Sequence, residues 1–115
     1  MTSPTERLRA LAGQRRRIEI PELGDDAGPL VAYARQVSTQ QAFEALQAIR
    51  AKNDDDPRIW ARLVWENLED EGGARIYRDL DWPKFSRLIP EAIARRVGML
   101  MWNQGRIDAE TAAGN

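Results

Sequence analysis

The sequence predicts one α+β domain, mostly helical, that begins with a short N-terminal antiparallel β-hairpin. Three observations predict it. Apolar and polar residues alternate through "RRRIEI" and small and large residues through "LVAYAR", the period of half-buried strands. A link rich in glycine and aspartate, "GDDAG", joins the two runs and signals a turn. After Val37 the apolar spacing changes to that of a helix, and Ser, Asp and Pro stand at successive helix starts.

Residues 1–105 are the expected domain, and the small polar run 106–115 is expected to be a flexible tail. The first element is a short helix. In "SPTE", Ser3 is its N-cap, Pro4 suits the first helical position and Glu6 closes a capping box. Leu8 and Leu11 form its apolar side, and Gly13 ends it. In the hairpin, Ile18 and Ile20 alternate with Arg17 and Glu19, and Leu30, Ala32 and Ala34 alternate with Val31, Tyr33 and Arg35. Pro21 and Pro29 lack a ladder donor, so pairing stays short and near an edge. The run Arg15–Arg17 reads as a charged guard on that edge.

A helix opened by Ser38 follows, with Gln41 as its capping-box partner and Ala42, Phe43, Leu46 and Ile49 on one face. The next helix has Asp56 as N-cap, Pro57 in its first turn and Gly72 past its end. "ARIYRDLD" is a short extended or turn segment, Asp81 caps the brief helix "WPKFSRLI", and Pro90 opens a final helix that runs to about Gln104. The expected core lies between the helices near 38–52, 57–71 and 90–104.

Composition bounds the chemistry. A chain of 115 residues with 43% apolar and 30% charged residues suits one globular domain. Without cysteine there are no disulfides or thiolate nucleophiles, and without histidine the commonest general base is missing. An enzyme built from this chain would depend on carboxylates, Lys, Tyr or a hard metal, and the acids read better as caps and turns. "NDDDP" places Asp54, Asp55 and Asp56 where a helix N-terminus favours negative charge, and it lacks the ligand spacing of a calcium loop. Glu69 and Glu71 fall beside a turn. No enzymatic activity, cofactor or metal is expected. A net charge of −1 and a single basic cluster give no nucleic-acid face. No apolar run nears the roughly 20 residues of a membrane span, and "MTSPTERLRALAG" lacks a signal peptide's apolar region. The expected location is the cytosol.

Helical phase sorts the remaining apolar residues. Ile59, Trp60, Leu63, Val64 and Leu68 share one arc, with Asn67 inside it as an expected hydrogen-bonded core residue. In the final helix Ile93, Ala94, Val97, Leu100 and Met101 form the core arc. Trp65, Met99 and Trp102 fall outside these arcs. Two readings account for them. They fill a second buried side, or lie under arginine side chains stacked on the rings. Alternatively they form a partner surface, where Trp, Met and Arg are enriched.

The order of these segments resembles the tail assembly chaperone family of long-tailed phages and prophages. The resemblance is carried by "ERLRALAGQRRRIEIPELG", the capped helix "STQQAFEAL", "ARLVWENLEDEGGARIYRD", and "LDWPKFSRLIPEAIARRVGMLMWNQ". It covers about residues 5–104. "DEGGAR" departs from the family's acidic turn, which more often carries a single glycine and a polar residue. The resemblance implies a non-enzymatic helper in the host cytoplasm, absent from the mature virion. It would bind the tape measure protein, keep that long helical chain soluble and help recruit tail tube protein. Trp65, Met99 and Trp102 are then the expected partner-binding residues, and such a surface would also allow self-association. In many members a programmed frameshift adds a second domain, and the polar tail after Gly105 would suit the joining point. The alternative is a small structural virion component, such as a head–tail adaptor or completion protein.

Overall fold

A computed structural model of the chain describes the backbone of residues 2–52 and 56–114, and the side chains of residues 2–50 and 56–103. Among them are five helices and a three-stranded antiparallel sheet. The order is α1 (Pro4–Ala12), β1 (Arg15–Asp25), β2 (Gly28–Arg35), α2 (Thr39–Lys52), α3 (Pro57–Asn67), β3 (Leu68–Glu69), α4 (Trp82–Leu88) and α5 (Glu91–Gly114).

The hairpin follows its alternation. Ile18 and Ile20 of β1 and Ala32 and Ala34 of β2 are buried on one face, while Arg17 and Glu19 are exposed and ion-paired to each other. Regular pairing stops at Ile20 opposite Leu30 and resumes only at Asp25 opposite Gly28. Pro21 and Pro29 sit at that interruption, because neither can donate to the ladder. The turn narrows to Asp26 and Ala27: the Asp25 carboxylate accepts from the Ala27 N–H at 2.8 Å, and Gly28 takes φ +133°, which only glycine adopts readily.

β1 lies at the sheet edge, where Arg16 and Arg17 are exposed. Arg15 departs from the edge-guard expectation. Its guanidinium lies 4.9 Å from the centre of the Tyr33 ring and donates to the carbonyls of Asp70 and Glu71 at 2.8 and 3.1 Å. It also meets the carboxylate of Glu69, which is almost wholly buried, at 3.5 Å.

The helix expected over 57–71 ends at Asn67. Leu68 turns extended, pairs with Ala34 and is fully buried, and Glu69 pairs with Tyr33. The sheet therefore has a third strand beyond the expected hairpin. Burying Leu68 serves helix and strand equally, but only the strand also pairs with β2. Asn67 behaves as expected: it is 2% exposed and its side-chain amide donates to the Leu63 carbonyl at 3.0 Å. The acidic turn after β3 uses its second glycine, since Gly73 has φ +92° and donates to the Asp70 carbonyl at 3.1 Å.

Caps at Ser3, Asp56 and Asp81 form as expected, each side chain accepting from a backbone N–H of the first turn. Ser38 and Gln41 form a full capping box, with bonds of 3.1 and 3.0 Å in the two directions. Asp54 and Asp55 lie outside the described residues. The final helix does not stop at Gln104; its backbone stays helical through Gly105 to Gly114. The run "DAETAA" is rich in good helix formers, which offset the roughly 1 kcal/mol cost of an internal glycine.

Two clusters make the core. The larger packs the sheet's inner face, including Leu68, against Ala61, Val64, Phe85, Ala94, Val97 and Met101. The smaller packs α2 on the far side of α3 through Ala45, Ile59, Trp60 and Leu63. The helices α3 and α5 cross closely, because a Cβ at Gly98 would meet the Trp60 backbone at 2.7 Å.

Glu22, in the irregular part of β1, takes two bonds from Arg96 of α5, at 2.6 and 2.9 Å. Its own backbone N–H and then Arg96 hold its carboxyl below the usual range. A depressed folded pKa contributes stability that is fully present above the ordinary Glu value and lost as pH falls through the lowered folded value. In a carboxyl-detected NMR titration Glu22 should therefore titrate below a free glutamate. Arg96→Ala should move its midpoint up only part of the way, because the backbone bond remains. An unchanged midpoint in that variant would contradict the pairing.

Candidate interaction surface

The structure distributes the three expected partner residues over two places, and only one of them is well exposed. Trp65 is half-buried. Its indole N–H donates to the Leu80 carbonyl at 2.9 Å, its ring meets Trp82 at 5.8 Å, and the guanidinium carbons of Arg75 and Arg62 lie 4.1 and 5.0 Å from its centre. This ring secures the 74–82 segment to α3, which favours the buried-side reading of Trp65. Its position off the helix's core arc reflects a second packing side.

Trp102 is also half-buried, meeting Trp60 edge-on at 6.3 Å in the smaller core cluster. Met99 alone of the three is counted among the exposed large apolar residues, at 39%. Met99 and Trp102 are three positions apart and share one side of α5, away from Trp65.

The better-exposed apolar residues lie elsewhere. On α2 the expected face of Ala42, Phe43, Leu46 and Ile49 is covered only in part, with Ala42 and Ile49 half-buried. Ala45 is buried, with Ala48 and Ile49 packed beside it, while Phe43 is 55% and Leu46 40% exposed. A small-residue face of α2 is what α3 accepts, because the bulky Trp60 and Leu63 already fill that side of the interface. Phe43 and Leu46 are thereby turned outward.

α1 buries no residue at all, and Leu8 and Leu11 are 65% and 53% exposed. They border a groove of about 500 Å³ whose other walls come from the β2–α2 connection and the start of α2, including Arg35, Val37, Thr39 and Gln41. Thr39 joins the groove to the α2 stripe, because Phe43 and Leu46 follow it at helical spacings of four and three. Leu8 and Leu11 line the groove itself, and Phe43 and Leu46 lie beyond its lining, further along α2. Sequence reading placed Leu8 and Leu11 on one side of α1 but had no signal that nothing would cover them.

A second exposed apolar site surrounds Leu88, 67% exposed, beside a depression of about 230 Å³ lined by Leu23, Tyr77, Leu80, Phe85, Ile89 and Pro90. Burial raises the Tyr77 phenol above its ordinary pKa. Between α2 and α3 a cleft of about 330 Å³ contains both acids and arginines: Arg62 pairs with Glu66 at 2.6 Å and Arg58 with Asp56 at 2.7 Å, while Glu44 accepts from the Gln40 amide at 3.0 Å. Among the described residues no group of three or more acids could hold a metal ion, and no helix is long and apolar enough to cross a membrane.

Comparison of the chain with protein-family models, with curated proteins and with solved structures finds no match.

Proposed function

We propose that the chain is a non-enzymatic tail assembly chaperone of a long-tailed phage or prophage, which binds the tape measure protein, keeps it soluble and helps recruit tail tube subunits. On this reading it works in the host cytoplasm and is left out of the finished particle. The resemblance of its segments to that family brings the tape measure into view. The observation that carries the reading is the open apolar surface of α1 and α2, where Leu8, Leu11, Phe43 and Leu46 are all exposed.

A holding protein needs such a surface. Apolar area exposed on a long, aggregation-prone helix is removed from water only by apolar area on a partner, at about 25 cal/mol per Å² buried. The surface sits on two helices rather than in an enclosed cavity, which suits a long protein segment better than a small molecule.

The test is co-expression with the tape measure protein of the same phage. The wild-type chain should raise the soluble fraction of the tape measure. Phe43→Ser/Leu46→Ser should abolish that effect while leaving unfolding stability within about 0.5 kcal/mol, as surface substitutions do. A tape measure equally soluble with and without the wild-type chain rejects the reading. Retention of the protein in purified particles would favour a head–tail adaptor or completion protein instead.

A further inference from the structure

We propose that the open edge of β1 pairs with the same edge of a second copy of the chain, antiparallel about a two-fold axis at Ile18, so that two three-stranded sheets join into one of six strands. The occupant is argued from the charges and backbone directions of β1 and does not rest on the chaperone reading.

β1 is outermost in the sheet, and β2 is the only strand beside it. α1 turns instead to the β2–α2 connection, whose residues line a groove with its Leu8, Leu11 and Ala12. Arg17 and Glu19 are exposed along the free edge.

Alternation along the sheet fixes which backbone groups face that edge. The Leu68 carbonyl accepts from the Ile76 N–H at 2.9 Å, and the Asp70 N–H donates to the Ala74 carbonyl at 2.8 Å. Glu69, between them, therefore turns its own N–H and C=O the other way, toward its partner Tyr33. Tyr33 answers on that side, so the β1–β2 ladder is bonded through the neighbouring pairs Arg16–Ala34, Ile18–Ala32 and Ile20–Leu30. The N–H and C=O groups of Arg15, Arg17 and Glu19 point out to the open side.

A second copy must present the same three residues, and the register decides which charges meet. With the axis at Arg16, Arg15 faces Arg17. With the axis at Arg17 or at Glu19, that residue faces itself. Only the axis at Ile18 brings no like charges together, because each Arg17 then faces Glu19 of the second copy. In that register two Arg17–Glu19 pairs exchange four N–H···O bonds across the edge. Within one copy Arg17 already meets Glu19 at 3.1 Å, so the four side chains form a square of alternating sign. A row of like charges would keep two such edges apart, whereas this alternation lets them close. On the inner face Ile18 comes beside Ile18 of the second copy, which continues the apolar layer across the axis. The paired stretch is short, so the contact falls in the small, transient class of interface, with Kd on the order of 100 µM.

Sedimentation equilibrium of the full chain up to about 1 mM should therefore show monomer and dimer in a concentration-dependent balance. In NMR hydrogen exchange the Arg17 and Glu19 amides should slow several-fold between about 20 µM and about 1 mM, while those of Ile18 and Ile20, bonded within the hairpin, keep their rates. Arg17→Glu and Glu19→Arg should each raise Kd at least about tenfold, since each sets like charges across the axis. Mixed in equal amounts, the two single variants should associate with each other at least as tightly as the wild type, because one brings two acids against the two arginines of the other. Neither variant keeps the ion pair within its own strand, so recovery in the mixture reads the contact between copies alone. Circular dichroism melts confirm that each variant is folded, and the exchange measurement needs no variant.

A chain that is monomeric at about 1 mM overturns the inference, as do Arg17 and Glu19 amides that exchange alike at every concentration. A dimer that survives both charge reversals but is lost on Leu8→Ser/Leu11→Ser or Leu88→Ser also overturns it, because an apolar surface would then join the copies. If the reversals weaken association and their mixture does not restore it, the register at Ile18 is wrong and the inference fails. None of these readouts involves the tape measure protein, so the chaperone reading stands or falls separately.

Discussion

Gly98→Ala should lower the denaturant midpoint of unfolding, against the direction that helix propensity alone predicts. In an exposed helix interior, alanine is about 1 kcal/mol more favourable than glycine. At this position the new methyl would meet the Cβ, carbonyl oxygen and Cα of Trp60 at 2.7–2.8 Å, nearer than real Cβ contacts come. Two of those atoms are backbone, so the neighbour cannot rotate away. The helices must part, and Val97 and Ala94, both buried at the same crossing, lose contact with α3. Overpacking of this kind costs about 1–3 kcal/mol, which exceeds the gain in propensity. Gly98→Val should cost about 3 kcal/mol or more, because a branched side chain widens the crossing further. Urea unfolding with an unchanged slope reads the loss as stability rather than altered compactness. A midpoint that rises for Gly98→Ala would mean that α3 and α5 lie further apart than described.

Trp65→Ala should destabilise the fold by about 3 kcal/mol, the lower end for a large aromatic truncation because the ring is only half-buried. The loss has three parts. The Leu80 carbonyl loses its indole donor, Arg62 and Arg75 lose the ring they stack on, and Trp82 loses its neighbour. Trp65→Phe keeps a ring and removes only the donor, so it should cost about 1 kcal/mol. Under conditions where both proteins are folded, Trp65→Ala should still hold the tape measure soluble. A variant that melts like the wild type yet fails to hold the partner would return Trp65 to the interface.

The reasons for what could and could not be read are local. Capping is encoded within four residues, so Ser3, Ser38, Asp56 and Asp81 announce their helices wherever the chain places them. The hairpin is encoded by alternation and by a turn that needs glycine, and Ile18, Ile20, Ala32 and Ala34 are buried as their spacing requires. β3 is different. Leu68 stands four residues after Val64, in phase with the buried arc of α3, so the same apolar residue satisfies a continued helix and a strand. Only the presence of Tyr33 and Ala34 opposite selects the strand.

The candidate surface follows the same division. Periodicity identifies which residues of a helix share a side, but it does not say which side another element covers. On α2 it grouped Ala42, Phe43, Leu46 and Ile49 on one face, and the fold buried Ala45 beside Ile49 and turned Phe43 and Leu46 outward, because Trp60 and Leu63 had already filled the space. On α3 it set Trp65 apart, and the 74–82 segment then folded back over it. By itself the sequence determined the caps, the hairpin and its inward face, the phase of the core helices and the lack of histidine and cysteine chemistry. Tertiary structure decided which amphipathic sides were covered and which were left open on α1 and α2. Burial depends on the volume and backbone edges offered by elements distant in the chain, which no local pattern contains.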